Sequence, residues 1–187
     1  MAFTFKHLEI PGLILVKPRV FKDRRGFFAE VYKWPDFKKA GIHVQFVQVN
    51  CSQSQKNVLR GLHYQKRPVA QAKLVRVLSG EIFDVAVDIR KGSPFFGKWV
   101  GFSLSSAEMN MAYVPKGFAH GFCVLSKTAE IEYYSSDVYS PQHERGIIWN
   151  DPALKIRWPS KSPVLSKKDS VLPSLELADN NFIYEEE

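Results

Sequence analysis

The sequence predicts an all-β domain, a sandwich or barrel with short peripheral helices, and three observations carry that reading. Runs rich in Val, Ile, Leu, Phe and Tyr recur at close spacing, each cut short by Gly, Pro, Asn or Ser. Only one short segment carries helix punctuation. No internal repeat or low-complexity linker divides the chain, so residues 1–187 are expected to form one domain.

Taken in order, the apolar runs place strands at 13–20, 26–32 and 44–51, then at 58–64 and 71–78. The helix lies between the third run and those before it, with Pro35 near its start, Asp36 in its first turn and Gly41 as its stop. Ser79-Gly80 reads as a tight turn into a strand at 81–87. Further strands follow at 99–104, 111–114, 121–125 and 129–135. Within 81–89, Phe83, Val85, Val87 and Ile89 share one face. Ile82, Asp84, Ala86 and Asp88 share the other, a mixed face suited to bordering a polar cavity. From about Ile147 the texture changes: Trp149, Asp151-Pro152, Trp158-Pro159, Ser162-Pro163 and Pro173 predict irregular segments packed on the barrel.

Composition narrows the class of function. Of 187 residues 45% are apolar and 13% aromatic, enough for a packed core, and the net charge is +7. The cations are scattered, and the only like-charge run, Glu185-Glu186-Glu187, is acidic. That pattern argues against a nucleic-acid footprint. A small anionic ligand needs only two or three cations on strands or loops. Cys51 and Cys123 make no disulfide framework. Glu9 and Pro11 interrupt what a signal peptide would need as an apolar core, and no run approaches the ~18–20 residues of a membrane span. A cytoplasmic protein is expected, with neither nucleic acid nor membrane as partner.

Three stretches can carry chemistry. In 111–122, MAYVPKGFAHGF, Pro115, Gly117 and His120 form a P-x-G-x-x-H pattern that resembles the second motif of the cupin β-barrels and presents His120 at the barrel mouth. Alone, His120 reads equally well as a hydrogen-bonded barrel histidine. The matching first motif has Gln65 where a second ligand histidine belongs and Lys73 where a glutamate belongs. An ammonium among would-be ligands repels a divalent ion, so no metal is expected. In VLRGLHY, Arg60 and His63 lie three apart and would face opposite ways on a straight strand; a bulge at Gly61 would turn both into one cavity. Lys73 sits in an apolar strand, costly unless it meets an anion such as a developing enolate. Tyr133, Tyr134 and Tyr139 on their own read as core or sheet surface, and Lys167-Lys168-Asp169 as an exposed cluster. No Walker loop, G-x-G-x-x-G turn or nucleophile elbow is present.

Taken together, FVQVN (46–50), VLRGLHYQ (58–65), QAKLVRV (71–77), GEIFDVAVDIRKGSPFFGKWVG (80–101), VPKGFAHGF (114–122), DVYSP (137–141), WNDP (149–152) and LSKKD (165–169) resemble the dTDP-4-dehydrorhamnose 3,5-epimerase family. The resemblance implies a metal-independent, cofactor-free cupin-type jelly roll, acting on a dTDP-sugar as a homodimer with exchanged N-terminal strands. It implies His63 as the base that removes protons from C3 and C5, Asp169 as its partner, Lys73 as the cation beside the C4 carbonyl and Tyr133 as the acid. It also implies substrate contacts from Arg25, Phe28 and Glu30, from Gln48, Asn50 and Arg60, and from His120, Glu144 and Lys168, with Tyr139 stacking on thymine. Departures are Arg24 where the family often has an acid, Val49 where it has Asp, and Tyr134-Ser135 where it has Lys-Thr or Lys-Cys. The last adjoins Tyr133 and leaves a single-centre epimerase as the alternative. A non-catalytic sugar-nucleotide-binding cupin would not need base, acid and lysine together.

Overall fold

The computed structural model describes residues 2–185; Met1, Glu186 and Glu187, and with them two glutamates of the acidic tail, lie outside the described residues. A strand that alternates apolar and polar residues has one face to bury, so a chain of such strands stacks sheet on sheet. Two antiparallel sheets do so here. Across the first lie β1 (Phe3–His7), β2 (Ile14–Pro18), β10 (Met111–Val114), β7 (Lys73–Ser79), β12 (Thr128–Ser135) and β5 (Gln48–Gln55). Across the second lie β13 (Glu144–Gly146), β6 (Leu59–Gln65), β11 (Phe118–Val124), β8 (Glu81–Asp88) and β9 (Trp99–Ser105). A separate hairpin, β3 (Val20–Asp23) and β4 (Gly26–Ala29), stands apart from both sheets.

Between the sheets Val75 and Val77 meet Ile82, Leu104, Phe122 and Ile131. The outer face of the first sheet is closed by α1 (Trp34–Lys39), which has Pro35 in its first turn. Its fully buried Phe37 packs edge-on to Phe3 at 5.2 Å and Phe5 at 5.3 Å. The outer face of the second sheet, Val85, Val87 and Ile89, is covered by Ile147, Leu154 and Phe182 of the irregular C-terminal segment. That leaves Ile82 and Asp84 pointing inward, the parity expected from the sequence.

The strand at 111–114 falls where expected, and those at 58–64, 71–78, 81–87, 99–104 and 129–135 within two residues. Four differences are informative. The run 13–20 is two strands, β2 and β3, divided at Arg19. The strand predicted at 44–51 occupies Gln48–Gln55, whose inward residues Gln48, Asn50 and Ser52 line a cavity and therefore need no apolar alternation. β11 starts at Phe118, three residues before the expected Gly121, and β1 and β13 were not expected at all. β13 is held by its ladder to β6, opposite Tyr64 and Gln65, and Glu144-Arg145-Gly146 offers no apolar signal.

Candidate active site

β6 carries the first two functional side chains. Its register against β11 pairs His63 with His120 but Arg60 with Phe122, so Gly61 and Leu62 face the single residue Gly121. This bulge brings Arg60 and His63 to one cavity of about 630 Å³ between the sheets. Gly61 has φ +125°, and a Cβ there would lie 2.5 Å from Gly121 Cα, so only glycine fits.

Each sheet supplies one wall. From the first come Lys73 of β7, Tyr133 of β12, and Gln48 and Asn50 of β5. From the second come Arg60 and His63 of β6, His120 of β11 and Glu144 of β13. The loop at 164–169 adds Lys168 and Asp169, and Tyr139 stands at the rim, half exposed.

His63 Nε2 lies 2.6 Å from Asp169 Oδ1, joining residues 106 positions apart. Asp169 is only 3% exposed, and its backbone N–H donates to Ser166 Oγ at 3.0 Å. Burial alone would push its carboxyl up, but the His63 and Ser166 hydrogen bonds hold it below the ordinary carboxylate value. The carboxylate therefore stays ionised and fixes the proton on Nε2, leaving the lone pair on the other ring nitrogen. Among the described residues Lys73 forms no ion pair, and its Nζ lies 5.9 Å from the Tyr133 ring centre. Burial pushes the Lys73 ammonium down, with Glu144 and Asp84 opposing. Burial likewise pushes the Tyr133 phenol up, against the nearby Arg60.

The binding wall is a linked set of polar contacts. Glu144 Oε2 accepts from Tyr139 Oη at 2.6 Å and from Lys168 Nζ at 2.5 Å. Gln48 Nε2 donates to Asn50 Oδ1 at 2.9 Å while its Oε1 accepts from the Tyr139 backbone N–H at 2.8 Å. Arg60 Nε crosses from the second sheet to Ser54 Oγ on the first at 3.0 Å.

Three expected residues stay outside. Arg25 pairs with Asp23 at 2.6 Å on the β3–β4 hairpin, and Phe28, on the same hairpin, is 65% exposed. Glu30 follows directly. One residue was missed: Asp84, fully buried, binds His120 Nε2 through both oxygens at 3.0 and 2.9 Å. A charge on the inward parity, between Ile82 and Ala86 of the same face, was the available signal. The Tyr134 departure points away from the cavity. Its ring stacks on Tyr32 at 6.3 Å, and its hydroxyl donates to Glu132 Oε1 at 2.8 Å, which Arg76 also holds.

An imidazole backed by a carboxylate on one wall, facing a phenol and an ammonium on the other, can take a proton from one side of a bound molecule and return one to the opposite side. A family model described as dTDP-4-dehydrorhamnose 3,5-epimerase matches residues 7–176. The chain belongs to this family. The dTDP-4-dehydrorhamnose 3,5-epimerase of Pseudomonas aeruginosa is 57% identical over 164 residues, which are 87% of this chain and 90% of that protein. The solved dTDP-6-deoxy-D-glucose-3,5-epimerase of Legionella pneumophila, in complex with dTDP-4-keto-L-rhamnose, is 45% identical with a TM-score of 0.95. That match covers 98% of this chain and 100% of the other. A 3'-monoepimerase from Streptomyces bikiniensis, in complex with dTDP-quinovose, is 32% identical with a TM-score of 0.86, covering 91% and 87% of the two chains. The fold that this family shares is the cupin-type jelly roll expected from the sequence.

Proposed function

We propose that this single-domain enzyme epimerises C3 and C5 of dTDP-4-dehydro-6-deoxy-D-glucose to give dTDP-4-dehydro-L-rhamnose, in dTDP-L-rhamnose biosynthesis. One observation carries the reading: His63–Asp169 and Tyr133 approach one cavity from opposite sheets. His63 removes the proton beside the C4 ketone, and the C–H electron pair moves into the carbonyl to form an enolate. Lys73 stabilises the oxygen that gains charge. Tyr133 returns a proton to the opposite face of the same carbon, which inverts it. The imidazolium and phenolate then reset by proton exchange with water, and the cycle repeats at the second carbon. No redox partner is consumed. Gln48, Asn50, Arg60, His120 and Lys168 hold the sugar and diphosphate, and Tyr139 stacks on the thymine beside Glu144.

The functional form is a homodimer with exchanged N-terminal strands, in the cytoplasm. The hairpin supports it: Phe21, Phe27 and Phe28 are largely exposed, and Arg25, Phe28 and Glu30 do not reach their own cavity, so they are placed to serve a partner's. No helix of the described residues is long and apolar enough to cross a membrane.

The test is incubation with dTDP-4-keto-6-deoxyglucose in D2O, followed by NMR at both carbons. Deuterium at C3 and C5 is the expected result; uptake at one carbon only selects the single-centre reading, and tight binding without uptake selects the non-catalytic one. Because Tyr134 faces away from the cavity, Tyr134→Phe should cost about 1 kcal/mol for its lost hydrogen bond and leave the C3-to-C5 uptake ratio unchanged. A changed ratio in that variant would show that the Tyr134-Ser135 departure does aim the acid.

A further inference from the structure

A second histidine–carboxylate pair stands at the cavity wall, with His120 lining it and Asp84 buried behind. His120 stands directly opposite His63 on the β6–β11 ladder, and Asp84 reaches it from β8, on the other side of β11. Asp84 is 0% exposed, and among the described residues its carboxylate accepts side-chain hydrogen bonds only from His120 Nε2, which reaches both oxygens. An isolated buried carboxylate costs several kcal/mol, so a fold keeps one where the charge or its geometry is used.

We propose that Asp84 is a positioning residue of the epimerase, fixing the ring of His120 against the cavity and supplying a buried negative charge on the sheet opposite Lys73. This rests on the epimerase reading above. The first half follows from the contacts: with Asp84 on Nε2, the His120 proton stays on that nitrogen, and Nδ1 is the nitrogen left for the ligand. The second half follows from how the other anions are engaged. Asp169 is bound to His63, and Glu144 to Lys168 and Tyr139. Among the described residues Lys73 has no ion pair, and of the remaining titratable groups on the walls Arg60 is a cation and Tyr64 and Tyr133 are phenols. Burial pushes Lys73 toward the neutral amine, and Asp84 is one of two carboxylates that oppose it. A neutral amine cannot answer the enolate charge as an ammonium does.

Asp84→Asn keeps the size and one acceptor oxygen and removes the charge. Its kcat for deuterium uptake should fall about 10- to 100-fold with KM within about threefold, while the alkaline limb of kcat moves acidward by on the order of one pH unit. Wild-type kcat with an unmoved limb overturns the assignment, as does a loss that follows only a lowered Tm. A second readout needs neither substrate nor variant. In 15N-histidine NMR of the wild-type protein, neutral His120 should carry its proton on Nε2; a proton on Nδ1 overturns the proposal. If the wild type takes up no deuterium, the epimerase reading fails, while the His120 tautomer still decides the role of Asp84.

Discussion

Replacing His63 with alanine should abolish deuterium uptake at both C3 and C5, lowering turnover between about a hundred and ten thousand fold. The size of the effect follows from the lack of a substitute. On the second sheet the other cavity histidine, His120, lies on the neighbouring strand and is 8% exposed, whereas a quarter of the His63 side chain is open. Asp169 is a poor substitute, because it is 3% exposed and lies behind the imidazole that the substitution removes. The tyrosine and lysine stand on the opposite wall, where they can donate but not abstract from the His63 side. Asp169→Asn should also be severely impaired in kcat, since it leaves the ring in place and no longer fixes the proton on Nε2. Both carbons should fall together, because one base serves both. Stability should fall by roughly 1–3 kcal/mol in His63→Ala, because the buried Asp169 carboxylate loses its imidazole partner. Uptake that persists at the wild-type rate in His63→Ala would mean that another group is the base.

How far the site was legible follows the distance over which each signal acts. The bulge at Gly61 could be read locally, because Arg60 and His63 share a cavity only if the strand skips a residue there. Lys73 was legible as a charge within an apolar strand. Asp169 was not legible from its own surroundings, where Lys167-Lys168-Asp169 looks like solvated surface. It became visible only through the family resemblance, and the structure buries it against a histidine 106 residues away. β5 was displaced because periodicity reports burial against apolar neighbours, and its inward face instead meets a polar cavity. Asp84 lay in plain view on the correct parity, but a side chain that acts through another carries no motif of its own. Tyr134 shows the converse: a departure beside the acid in sequence is opposite to it in space, because successive strand residues alternate faces.

Lys73→Met should lower kcat by about 10²–10³-fold while raising thermal stability, a pairing that separates catalysis from folding. The loss in kcat is the cost of removing one preorganised contact to a developing oxyanion, roughly 3–4 kcal/mol. It should fall on kcat more than on KM, because the enolate charge exists only after the proton has left. The gain in stability has the opposite origin. Burial pushes the Lys73 ammonium below its ordinary value of 10.5, so the folded state holds this proton less tightly than the unfolded chain does. Its charged form therefore opposes folding at neutral pH, and that penalty disappears only above the unfolded-state value. A methionine of similar length removes the penalty and packs in the same strand. The pH profile supplies the check. In the wild type kcat should decline on the alkaline side below the ordinary lysine range, as the ammonium is lost. Tyr133 cannot produce that decline, because burial moves its phenol above 10. In Lys73→Met the decline should disappear together with most of the rate. A variant that keeps both the wild-type kcat and the alkaline limb would remove Lys73 from the reaction.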